Sequence, residues 1–83
     1  MMIKYVEFFD TRSGQKKRLG EIRLQHSKLE LSDDLAPHWP RQSSYDLLGS
    51  GGYETMYDPE KILEALPEKF NRPEFQASEV KYR

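Results

Sequence analysis

Residues Ile3–Asp10 place the tightest constraint on the fold. In an extended chain, Ile3, Tyr5, Glu7 and Phe9 share one side and Lys4, Val6, Phe8 and Asp10 the other. The segment is rich in β-branched and aromatic residues, which favour strands. Both sides carry aromatics, so the strand needs cover on both faces and suits the centre of a sheet better than an edge.

Beyond Asp10 the chain alternates between turns and strands. Asp10-Thr11-Arg12-Ser13-Gly14 reads as a turn, with Asp10 bonding its own backbone two residues on and Gly14 free to adopt a positive φ. Arg18–Gln25 forms a second strand, with Ile22 and Leu24 on one face and Glu21 and Arg23 on the other. His26-Ser27 is a short turn and Lys28–Leu31 a third strand. Residues 3–31 are therefore expected to form a three-stranded antiparallel meander. Tyr5, Phe9, Ile22, Leu24, Leu29 and Leu31 are expected to supply its share of the core.

One helix is clearly signalled. Asp58 is a good N-cap, Pro59 occupies the first helical position and Glu60 the first turn. Ile62, Leu63, Leu66 and Phe70 fall on one stripe. Pro67 has no N–H for the carbonyl of Leu63, so the helix is expected over 59–66. Between meander and helix, Ser32-Asp33-Asp34 can cap a turn at Asp33–Ala36. Pro37 and Pro40 then favour an extended path. A long loop rich in Pro and Gly is expected over 37–52, with a helical turn at Ser43–Leu48 and glycines at 49, 51 and 52. One or two short strands, at 53–57 and 75–82, would extend the sheet, with the last residues frayed. The expected class is α+β in one small domain of 83 residues.

At this length only about 60–65% of the chain's surface is buried on folding, so the core is thin. Charged residues, at 33%, nearly match the 36% that are hydrophobic. Ten aromatics nonetheless argue for a folded chain. There is no cysteine, hence no disulfide framework, thiolate metal site or thiol nucleophile. A reducing cytoplasm fits this composition, and neither a signal peptide nor a membrane-spanning run is expected.

Charge is divided unevenly along the chain. Residues 1–28 hold seven Lys/Arg against three acids, a net of +4; residues 29–83 hold six against eleven, a net of −5. The expected function is a non-catalytic protein-interaction module acting through this polarity: an accessory, inhibitor or antitoxin-like protein of a bacterium or phage, with a protein partner or a second copy as ligand. The alternative is RNA or single-stranded DNA binding by the basic hairpin 12–18. The candidate binding residues are Arg12, Lys16, Lys17, Arg18, Arg23, Trp39 and Arg41. Trp39 stands between two prolines, where it either plugs the core or serves as an exposed anchor. No cofactor, metal or catalytic residue is expected. His26 and His38 have no ligand partners at metal spacing, and no serine sits in a nucleophile-elbow context. Gly49-Ser50-Gly51-Gly52 lacks the helix and lysine of a phosphate loop.

Overall fold

A computed structural model describes residues 3–39 and 58–83. Strand β1 (Lys4–Asp10) runs through the interior of an antiparallel sheet, as its two aromatic faces require. On one side it pairs with β2 (Lys17–Gln25), which pairs in turn with β3 (Lys28–Leu31). On the other side two short segments lie end to end along it. β5 (Phe75–Ala77) covers Phe8 and Phe9, while β6 (Lys81–Tyr82) covers Lys4 and Tyr5. β4 (Asn71–Arg72) completes the order β3-β2-β1-β5-β4. The strand expected at 75–82 is thus split in two. The terminal residue is held rather than frayed, since the backbones of Ile3 and Arg83 exchange hydrogen bonds of 3.0 and 2.9 Å.

The helix α1 (Pro59–Lys69) starts as expected. The Asp58 carboxylate accepts from the backbone N–H groups of Glu60 and Lys61. It continues a turn beyond the expected end, with Pro67 inside it. Proline removes one bond to Leu63, but Phe70 N–H still reaches the Leu66 carbonyl at 2.9 Å. Packing of Phe70 against Phe8, Trp39 and Phe75 carries the turn onward.

The core lies between α1 and one face of the sheet. From β1 that face presents Val6 and Phe8, both fully buried, and not Tyr5 and Phe9, which are half-buried on the other side. The expected assignment of faces is therefore inverted for β1. The reason lies across the sheet at Gly20, Phe8's partner on β2. Gly20 has φ of 156°, and a Cβ there would stand 2.4–2.7 Å from Cβ, N and Cα of Leu35. Only glycine lets the 32–39 segment close over the strand beside Phe8. A register shift between Phe8 and Phe9 accompanies it. Ile22 and Leu29 are buried as expected, with Leu24, Leu31 and Ile62 packed at the margin.

Pro37 behaves differently from the expectation. It sits inside a single 3-10 turn, Ala36–His38, because the start of a helical turn has no use for its missing N–H. The extended path begins one residue before Pro40, at Trp39 (φ −73°, ψ 126°). Trp39 is buried, its ring centroid 5.6 Å from Phe8, 5.1 Å from Phe70 and 5.7 Å from Phe75. Of the two sequence readings the core plug is the one realised. The turn at Ser43–Leu48, the glycine run, the strand at 53–57 and loop residues 40–52 lie outside the described residues.

Candidate binding site

The face of the sheet away from α1 carries charge. Glu7 on β1 and Glu21 on β2 are directly opposed. Like charges so placed repel unless a cation bridges them. Arg18 is that cation: its guanidinium reaches Glu7 at 3.0 Å, Glu21 at 2.8 Å and Asp34 at 2.7 Å. Glu21 also receives both terminal nitrogens of Arg83, and Arg23 stands 3.7 Å away. Only 2% of Glu21 is exposed, so this carboxylate is satisfied by arginines rather than by water. Lys81 holds the second oxygen of Glu7 at 2.8 Å, and that bond above all keeps the Glu7 carboxyl below its ordinary range. The Arg83 guanidinium lies 4.4 Å from the centroid of the Tyr5 ring.

On the opposite face, Lys4 bonds Glu60 at 2.5 Å and Glu64 at 3.1 Å, tying α1 to β1. These two carboxylates push the Lys4 ammonium's pKa upward. The two halves of the charge division are thereby joined in space by ion pairs. Front-half Lys4 and Arg18 pair with Glu60, Glu64 and Asp34, and tail residues Lys81 and Arg83 pair with Glu7 and Glu21.

Seven residues were expected to bind, and the fold divides them. Arg18 and Arg23 belong to the ion-pair face, where the Nε of Arg23 is buried without a partner among the described residues. Trp39 is in the core. Arg41 lies outside the described residues. Lys16 is exposed at the first hairpin, its ammonium 5.5 Å from the centroid of Phe9. Arg12 and Lys17 line a pocket of about 700 Å³.

That pocket sits where three elements meet: the β1–β2 turn, the end of α1, and the β4–β5 hairpin. Thr11 joins the first to the last, its N–H donating to the Pro73 carbonyl at 2.7 Å and its hydroxyl at 3.1 Å. Arg12, Lys17, Lys69 and Arg72 supply four cations around it, against the carboxylates of Asp10 and Glu74. Leu19, Phe70 and Phe75 form its apolar wall, and His38 its rim. Asp10 is already engaged, with Arg12 2.6 Å away, and side-chain and backbone bonds from Arg12 hold its carboxyl at about 2. Among the described residues Lys17 and Arg72 make no ion pair. Lys69, Arg72 and Glu74 were not legible as site residues. They are separated from Arg12 in sequence, and the Thr11–Pro73 contact that gathers them is made by backbone, which has no sequence signature.

Among the described residues no three His, Cys, Asp or Glu side chains gather as a metal site, and no helix is long and apolar enough to cross a membrane. No known protein family, curated protein or solved structure matches this chain.

Proposed function

We propose that the chain is a non-catalytic binding module of the cytoplasm that engages a protein partner through the pocket bounded by Lys17 and Arg72. The observation that carries this reading is the pocket itself. It is concave, partly walled by apolar side chains, and rimmed by cations of which two, Lys17 and Arg72, make no ion pair among the described residues. Cations set around an apolar wall offer a protein partner both charge complementarity and apolar contact. The absence of cysteine supports the cytoplasmic assignment.

Nucleic acid is the second reading, drawing on exposed Lys16 and Lys17. It has less support because the carboxylates of Asp10 and Glu74 stand among the cations of the pocket and repel a polyanion.

Affinity purification at about 50 mM salt, where charge steering is little screened, tests the reading. The wild-type chain retains a protein partner that the Lys17→Glu/Arg72→Glu variant loses. Equal recovery by both, or recovery of nucleic acid alone, overturns it.

A further inference from the structure

We infer that the segment recognised by this pocket is an acidic peptide with a single large apolar residue at its centre. The inference rests on the reading of the pocket as a protein-binding site and specifies the chemistry of its ligand.

The charge of the pocket selects acid. Arg12 holds Asp10 by hydrogen bonds, whereas Lys17, opposite Asp10 on the neighbouring strand, and Arg72 line the pocket without an ion pair among the described residues. They reach the pocket from two separate elements, β2 and the β4 strand, so they address two carboxylates spaced along a chain better than one compact anion. The Arg72 fork can take a carboxylate with two parallel bonds, while Lys17 offers a point charge. Glu74 on the rim adds a negative charge that disfavours indiscriminate polyanion binding.

The wall of the pocket selects the apolar centre. Leu19 and Phe75 expose under a tenth of their surface, so their visible atoms form a fixed patch backed by the core rather than mobile surface side chains. The ring of Phe75 is stacked on Phe8 at 4.8 Å and edge-on to Phe70 at 5.4 Å. An aromatic or aliphatic side chain laid on this wall displaces water from apolar surface that is already rigid. About 700 Å³ exceeds the needs of a phosphate and accommodates several side chains.

Fluorescence anisotropy on the full chain at about 50 mM salt tests this. The probes are a labelled peptide with one phenylalanine flanked on each side by two glutamates, the same peptide with glycine for phenylalanine, the same with lysines for glutamates, and a single-stranded RNA. The acidic phenylalanine peptide binds at least about tenfold more tightly than each of the others. Lys17→Glu/Arg72→Glu weakens it about tenfold or more, and Lys28→Glu, at the start of β3, leaves it unchanged. Both pocket side chains are exposed, and Trp39 emission reports that the variants are folded. Equal binding of the glycine peptide, tighter binding of RNA, or no binding of the acidic phenylalanine peptide overturns the inference. If the peptides fail while the charge-reversed variant still loses its purified partner, the ligand chemistry is wrong and the protein-binding reading stands. If that partner is retained as well, both fall.

Discussion

The guanidinium of Arg83 meets both carboxylate oxygens of Glu21, at 2.9 and 3.0 Å, across 62 residues of sequence. Glu21 is nearly without solvent, so its charge depends on Arg83, Arg18 and Arg23. Removing an acceptor from such a group leaves the arginines facing one another. Glu21→Gln is expected to cost about 1–3 kcal/mol. Arg83→Ala costs less, because Arg18 and Arg23 remain. Urea unfolding of both variants and of the double variant measures the coupling, which is expected to be non-additive.

Gly20 is expected to tolerate no side chain. In Gly20→Ala the new Cβ would stand 2.4 Å from that of Leu35, and φ of 156° is strained for any L residue. The 32–39 segment must shift, taking Leu35 and Trp39 with it. The expected loss is about 2–4 kcal/mol. Trp39 emission moves to the red as the indole gains water, and that shift distinguishes local opening from a loss confined to the strand.

The β2–β3 turn places two non-glycine residues at positive φ, His26 at 53° and Ser27 at 60°. A two-residue hairpin of this geometry prefers Asn-Gly. His26→Asn with Ser27→Gly is expected to stabilise the domain by about 1 kcal/mol, by relieving left-handed strain. A rise in the urea midpoint with unchanged slope checks this.

Pro67 lies inside α1 and leaves the Leu63 carbonyl without its helical donor. Pro67→Ala restores that bond and a helix-favouring residue. The expected gain is about 1–2 kcal/mol, less than the full propensity difference because the helix already accommodates the ring. Thermal unfolding followed by circular dichroism shows it as a raised midpoint.

Acid is expected to destabilise the domain as two carboxylates of depressed pKa take up protons. Glu7 is held below its ordinary 4.5 by Lys81 and Arg18, and Asp10 is lowered from 3.8 to about 2 by Arg12. A depressed carboxylate contributes stability that is complete above its unfolded pKa and is lost as pH falls through its folded one. The melting temperature should therefore hold above pH 4.5 on account of these groups, then decline. Glu7→Gln lowers it at neutral pH and flattens the decline, so the variant and wild-type curves converge in acid. Parallel curves at all pH values would remove Glu7 from the account.

Local signals in the sequence were sufficient for the three strands of the meander and the start of the helix, but not for the helix end, for β4 or for the break between β5 and β6. Alternation set the three strands, Asp58-Pro59 set the start of the helix, and two aromatic faces set β1 at the centre of the sheet. The choice between those faces was not legible, because both are aromatic. It was decided by Gly20, whose bare backbone admits Leu35, and by Glu7 and Glu21, which need the arginines of the other side. The hairpin cations were visible as a cluster, but whether each was spent internally or left for a ligand depended on carboxylates far away in sequence.

By itself, then, the chain's order of residues determined that an α+β fold would form around a central strand and where its helix would begin, since those come from periodicity and caps acting over a few residues. Only the tertiary structure decided that Lys4 and Arg18 are paired with acids of the other half, that Trp39 is core, and that Lys17 shares a pocket with Arg72. Each of those depends on contacts between residues far apart in sequence, such as Thr11 with Pro73, and the strength of a charge is fixed by what stands beside it in space.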